Sequence, residues 1–167
     1  LSFPLISDPK TGKKFGKTAE GVAIWLDRNK THPFNFYQFL VNVSDDLAPE
    51  LMRFFSFKTK EKIEKIEEEW TKNKGERLLQ KELAFELTSL VHGKKMAKQA
   101  EKIAEILFNK RTAKLSVSDF NFIKDSLPYL KINVRKELDL VDVLLKLNLT
   151  SSKGEGRRLV EQRGVTS

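Results

Sequence analysis

Leu78-Leu79-Gln80-Lys81-Glu82-Leu83-Ala84-Phe85-Glu86-Leu87-Thr88-Ser89-Leu90-Val91-His92-Gly93 decides the fold class. Its apolar residues return at 78/79, 83, 87 and 90/91, the spacing that puts one stripe on one face of an α-helix. Gly93 then supplies a stop. Upstream, Thr59 stands before Ile63, Ile66 and Trp70, again at helical spacing and set among Lys and Glu, and Gly75 ends or resets that helix. Downstream, Ala97, Ala100, Ile103/Ala104 and Leu107 predict one more. The chain is therefore expected to be mostly α.

The same reading extends to both ends. Thr31 is placed to cap a helix with Pro33 in its first turn and Phe34, Tyr37, Phe39, Leu40 and Val41 along it. Pro49 opens another over Leu47–Phe57, with Leu51, Phe54 and Phe55 as its stripe. Ser118 is expected to cap a short helix around Phe120–Lys124, Lys131–Val134 to be extended, and Asp139–Leu147 to be helical. Ser152 and Glu155 have the capping-box spacing for a last helix that runs through Arg157, Arg158, Leu159 and Val160 to Gly164 as its C-cap. At the front, Leu1–Ile6 reads as a short strand, Asp8-Pro9-Lys10-Thr11-Gly12 as a turn, and Ala23–Leu26 as a brief return to the core.

Composition narrows the classes. With 167 residues, 40% of them hydrophobic, one ordinary domain with partial neighbours can bury roughly 70% of its unfolded surface and needs no staple. Cysteine is absent, which removes disulfides, thiolate zinc sites and cysteine nucleophiles and agrees with a reducing compartment. The most apolar stretch, Leu138–Leu149, is interrupted by Asp139, Asp142, Lys146 and Asn148, so a soluble chain with no membrane partner is expected. Leu1 in place of methionine, without secretory flanks, is expected to be a cut rather than a natural start. The net charge of +8 is uneven: residues 1–30 hold six basic and three acidic side chains and 151–167 hold four and two. Basic ends of this kind suit phosphates, and they also suit solubility alone.

The most informative short segment is Thr11-Gly12-Lys13-Lys14-Phe15-Gly16-Lys17-Thr18. Only three residues separate Gly12 from Gly16, one too few for the phosphate loop of nucleotide hydrolases. What remains is a set of glycines that let backbone amides approach, two lysines three apart, and a hydroxyl, which fits a polyphosphate or a plain basic surface loop. The other candidates have two readings each. His92 at a helix end is a capping or packing residue rather than a general base, and His32 before proline is structural. Phe34, Phe36, Tyr37, Phe39, Phe54, Phe55 and Phe57 are either core or stacking surfaces, with core the better fit to their spacing. Glu67-Glu68-Glu69 reads as a solvated helix face. No metal ligand set is evident.

Lys14-Phe15-Gly16-Lys17-Thr18 resembles the KMSKS signature loop of class I aminoacyl-tRNA synthetases, in the form typical of bacterial-type tyrosyl-tRNA synthetases. Pro4-Leu5-Ile6 before it and Ile24-Trp25-Leu26-Asp27, Thr31-His32-Pro33-Phe34 and Phe36-Tyr37-Gln38-Phe39 after it are similar to the same family. So are Phe54-Phe55-Ser56-Phe57 and Leu87-Thr88-Ser89-Leu90-Val91-His92-Gly93. Ser151-Ser152-Lys153, Glu155-Gly156-Arg157-Arg158-Leu159-Val160 and Gly164-Val165 resemble the first helix of the family's ribosomal-protein-type RNA-binding module. The resemblance implies three parts: residues 1–30 as the tail of a Rossmann-type catalytic domain, 31–150 as a helical anticodon-binding domain, and 151–167 as the start of the RNA-binding module. It also implies the chemistry of tyrosine activation by ATP with Mg2+, followed by transfer to tRNA(Tyr).

By motif position Lys14, Lys17 and Thr18 are the catalytic set, Gly16, Lys14 and Lys17 meet the ATP phosphates, and Lys153, Arg157, Arg158 and Arg163 meet RNA. Thr18 stands where the signature has serine and keeps the hydroxyl. The two histidines of the family's HIGH-type motif should lie three apart, and here His32 and His92 are sixty apart. The chain is therefore expected to be the C-terminal portion of a cytoplasmic or organellar ligase, inactive alone and dimeric through the part not present. A non-catalytic helical RNA-binding module and a plain helical scaffold are the rival readings.

Overall fold

A computed structural model describes residues 6, 7, 12, 14–17, 21–108, 115–127, 139–162, 164 and 165. Among these, regular structure is helical: α1 (Pro33–Val41), α2 (Ala48–Phe55), α3 (Lys60–Lys72), α4 (Leu78–His92), α5 (Lys94–Phe108), α6 (Val117–Ile123), α7 (Leu140–Lys146) and α8 (Lys153–Glu161). Two isolated antiparallel bridges, Ser7 with Lys14 and Lys17 with Ala23, are the β pairing among the described residues. None of these helices is long and apolar enough to cross a membrane. The chain forms two compact units, Leu1–Phe120 and Asn121–Ser167. The expected strand at Leu1–Ile6 lies mostly outside the described residues, and the extended segment Lys131–Val134 lies wholly outside them.

In the first unit α4 is the central element and packs against α1, α2, α3 and α5. Its Leu79 and Leu83 join Val43, Leu47, Ala48, Leu51, Met52, Ile63 and Trp70 in one apolar cluster. Toward α1 and α5 the buried side chains are Phe34, Phe36, Tyr37 and Leu40 against Ala97, Ala100 and Ile103. The two alanines are short, which leaves room on that face of α5 for the large α1 side chains. Truncating one of the aromatic members would cost about 3–5 kcal/mol.

Polar ties fix the connections between these helices. The Arg77 guanidinium donates to the Val43 carbonyl at 2.8 Å and the Gln80 amide to Asp45 at 2.6 Å, which holds the start of α4 on the α1–α2 turn. Glu86 on α4 accepts from the Ser56 hydroxyl at 2.7 Å, the Phe57 backbone N–H at 2.7 Å and the Lys58 ammonium at 2.6 Å. One carboxylate thus sets the course of the chain between α2 and α3.

Several local expectations are corrected. Thr31 does not cap α1: His32 does, its Nδ1 accepting from the Phe34 N–H at 3.2 Å, while the Thr31 hydroxyl accepts from the Trp25 N–H. Ser116 rather than Ser118 caps α6, because Ser116 and Asp119 exchange bonds, each accepting from the other's backbone N–H. Gly75 does not reset the chain after α3. Arg77, at φ 55°, takes the left-handed position after a 3-10 turn at Lys74–Glu76, anchored by its own side chain.

Phe54 and Phe55 do not form a buried stripe with Leu51. The buried face of α2 is Ala48, Leu51 and Met52, and Phe54, Phe55 and Phe57 are exposed, Phe57 by 80%. Ala23–Leu26 is no return to the core, since Trp25 and Leu26 are exposed. Glu67 departs from a fully solvated Glu67–Glu69 face: it is half-buried and pairs with Arg53 at 2.9 Å.

In the second unit α7 packs on α8. Asp139 caps α7 by accepting from the Val141 N–H, and Ser152 caps α8 by accepting from the Glu155 N–H at 3.2 Å. Glu155 does not complete the box on Ser152. Its carboxylate takes the Ser151 N–H and hydroxyl instead, at 2.7 and 2.6 Å. Gln162 is the C-cap of α8, and Gly164 lies two residues beyond it with its N–H donating to the Leu159 carbonyl, the six-to-one bond of a Schellman ending. Gly156 is buried at the helix contact, where an added Cβ would sit 3.0 Å from Val141 Cγ1.

Candidate functional site

The lysine-bearing segment is a short turn held at both ends. Lys14 pairs with Ser7 and Lys17 with Ala23. Between them the Phe15 N–H donates to the Ile6 carbonyl at 3.0 Å, and the Gly16 carbonyl accepts from the Ile24 N–H at 2.9 Å. Gly16 has φ 108°, where an L side chain is strained, so this position requires glycine. Lys14 and Lys17 are exposed on either side of the turn. Two flexible ammonium groups on a pinned backbone can reach oxygens of one anion from two directions.

Phe15 is what the sequence reading passed over. Its ring is half-buried, lies 5.3 Å from that of Phe39 on α1 and 6.3 Å from that of Phe55 at the end of α2, and packs with Ile6 on the central cluster. The available signal was one large aromatic inside an otherwise polar, glycine-bearing loop. Farther along the chain, the Lys30 ammonium sits 4.3 Å over the Trp25 ring, a cation–π contact. Thr18 lies outside the described residues.

The second set of candidates is on α8. Arg157 and Arg158 are exposed. Lys153 pairs with Asp142 on α7 at 2.8 Å, and that hydrogen bond and charge hold its ammonium above the usual lysine range. Lys153 and Arg157 are four apart and share a helix face, with Arg158 next round the helix. Arg163 lies outside the described residues.

The histidines are structural in their contacts. The His92 ring meets Phe36 edge-on at 5.1 Å, and burial, followed by the charges of His32 and Arg28, pushes its pKa down. No group of three or more His, Asp or Glu that could hold a metal ion occurs among the described residues.

Comparison with known proteins identifies the family. The family described as tRNA synthetases class I (W and Y) matches residues 1–109. Tyrosine--tRNA ligase of Streptococcus thermophilus and tyrosine--tRNA ligase 1 of Bacillus subtilis are each 39% identical to the chain over 165 residues, 99% of this chain and 39% of theirs. The chain thus spans about two fifths of the length of these relatives. Among solved structures, a C-terminally truncated mitochondrial tyrosyl-tRNA synthetase of Aspergillus nidulans matches with TM-score 0.51 at 37% identity, over 52% of this chain and 24% of that one. Its counterpart from Coccidioides posadasii matches with TM-score 0.53 at 31% identity, over 62% and 26%. On these similarities the chain belongs to the class I tRNA synthetases of the tryptophan and tyrosine family.

Proposed function

We propose that this chain is the C-terminal portion of a tyrosine–tRNA ligase and carries the loop that assists tyrosine activation. The observation that supports the reading most directly is the turn Lys14–Lys17, two exposed lysines around a glycine at φ 108°, in a chain 39% identical over nearly its whole length to tyrosine–tRNA ligases. In the reaction the tyrosine carboxylate attacks the α-phosphorus of ATP, the bond to the bridging oxygen breaks, and pyrophosphate leaves with its electron pair. Charge thus grows on the pyrophosphate oxygens. Ammonium groups that reach those oxygens more closely in the transition state than in bound ATP lower the barrier.

Lys14 and Lys17 are assigned that role, Lys17 foremost, with Thr18 adding a hydroxyl and Gly16 the loop's freedom to close. Mg2+ enters with ATP as part of the substrate. The tyrosyl group then passes to tRNA(Tyr), for which Lys153, Arg157, Arg158 and Arg163 are the proposed phosphate contacts. The proposed division is 1–30 as catalytic tail, 31–150 as helical anticodon-binding domain and 151–167 as the opening of an RNA-binding module. The whole ligase is proposed to be a cytoplasmic or organellar dimer, paired through residues outside this chain.

The test is tyrosine-dependent exchange of pyrophosphate into ATP by the complete ligase. Lys17→Ala should slow it about thirty-fold, or about 2 kcal/mol of transition-state stabilisation, and unchanged exchange removes the catalytic role. This chain alone should bind tRNA weakly, with affinity falling as salt rises. Absent or salt-independent binding favours a scaffold.

A further inference from the structure

We propose that Phe15 is the positioning residue of the lysine loop: its ring is a peg between α1 and α2 that sets where Lys14 and Lys17 stand. The inference rests on the activation reading above and extends it to a side chain that touches no substrate. Three observations carry it. First, Phe15 is the one large apolar side chain among the described residues between Gly12 and Lys17, and it leaves the turn to pack on the central cluster. Second, its neighbours come from two helices, Phe39 in α1 at 5.3 Å and Phe55 in α2 at 6.3 Å, with rings tilted 38° and 31°. Third, the other ties of the turn seen among the described residues are backbone bonds to segments that are themselves irregular, Phe15 to Ile6 and Ile24 to Gly16.

Lys14 is the immediate neighbour of Phe15 and Lys17 lies two residues beyond it. Consecutive Cα atoms are about 3.8 Å apart, so fixing the Phe15 ring confines both lysine Cα atoms to a small volume while leaving their side chains free. Gly16, with φ 108° and no atom within 4 Å of where its Cβ would be, gives no steric support of its own. Without the peg the backbone ties would still form the turn but would fix its position less closely, and ammonium groups aimed at a transition state lose effectiveness when misplaced by about 1 Å.

Pyrophosphate exchange by the complete ligase tests this. Phe15→Ala should lower kcat tenfold or more while leaving the KM for tyrosine within twofold, because a loop that acts on phosphates has no part in holding tyrosine. Phe15→Leu, which refills most of the space, should recover kcat to within about threefold of the parent. Phe55→Ala alters only a part-exposed neighbour, which keeps the test open if Phe15→Ala fails to fold. It should lower kcat less and add nothing further in combination with Phe15→Ala, the non-additivity expected of residues acting through one contact.

A kcat for Phe15→Ala within twofold of the parent, with Lys17→Ala still slow, overturns the positioning role and leaves the lysine assignment standing. So does a rise in the KM for tyrosine that accounts for the whole loss, or a Phe55→Ala effect that simply adds to that of Phe15→Ala. Normal exchange by Lys17→Ala overturns the lysine assignment and the positioning role together.

Discussion

Asp119→Asn should destabilise the first unit by about 1–2 kcal/mol at neutral pH, and the loss should fade in acid. Asp119 is 3% exposed, and its Oδ2 accepts from the Ser116 N–H at 3.0 Å, the Ser116 hydroxyl at 2.7 Å and the Lys102 ammonium of α5. The Lys102 and Ser116 hydrogen bonds outweigh the cost of burial and draw its pKa from 3.8 down to about 2. Each tenfold change in proton affinity is worth about 1.4 kcal/mol, so the whole effect is at most about 2.5 kcal/mol. Lys102 is itself half exposed and screened by salt, which sets the lower end of the range.

The sign follows from the depressed pKa. Stabilisation is complete above the unfolded value near 4, roughly half remains at pH 3, and it disappears as pH falls through about 2. Trp25 and Trp70 both lie in the first unit, and Trp70 is buried, so tryptophan fluorescence in urea reports this unit. At about 2–4 °C per kcal/mol, the corresponding fall in Tm is a few degrees. A difference below about 0.5 kcal/mol at pH 7, or one that does not shrink by pH 3, would refute the assignment of Asp119 as an ionised brace between α5 and α6.

Gly156→Ala places a Cβ 3.0 Å from Val141 Cγ1 and 3.6 Å from Thr150 Oγ1. It should destabilise the second unit by about 1–3 kcal/mol, with amide exchange in α7 and α8 accelerating together and Val141→Ala relieving part of the loss. The pKa of His92 lies below its ordinary 6.5 because of burial first and then the His32 and Arg28 charges, so the fold favours its neutral form. Stability should therefore decline as pH drops below about 6.5, and urea melts of His92→Asn at pH 7 and 5.5 should show a flatter dependence.

What was legible in the sequence divides by range. The helices α3, α4 and α5 were readable because a stripe such as Ile63/Ile66/Trp70 or Ala97/Ala100/Ile103 states its own period. The caps were less so: Thr31 and His32, or Ser116 and Ser118, are equally able acceptors in local sequence. Which one serves depends on which backbone N–H the first turn leaves open. Thr31 was drawn away by the Trp25 N–H. The short α2 misled for another reason. Leu51, Phe54 and Phe55 lie on one helical stripe, but Ala48, Leu51 and Met52 meet the cluster instead, and that choice belongs to the neighbouring helices. At the site, the residue types and spacing of Lys14, Gly16 and Lys17 were visible, whereas the partners of Phe15 are more than twenty residues away and no local pattern announces them.

Counting charges and locating them lead to different sites. The four basic side chains of residues 151–167 read as one RNA-facing set, yet the Lys153 ammonium is 2.8 Å from Asp142, so its charge is already matched. A phosphate arriving there must share the lysine with a carboxylate, and its share of the counterion release that drives nucleic-acid binding shrinks accordingly. The same ion pair ties the start of α8 to α7. Arg157 and Arg158 are exposed on the next turn, and on the proposed reading they meet an RNA backbone without first giving up that ion pair. The lysine turn is the opposite case. Lys14 and Lys17 are exposed on a backbone that Ser7, Ile6, Ala23 and Ile24 hold in place. On the proposed reading, the basic groups that act in the chemistry are those whose backbone is restrained and whose side chains are not, a distinction that net charge, +8 over the whole chain, does not contain.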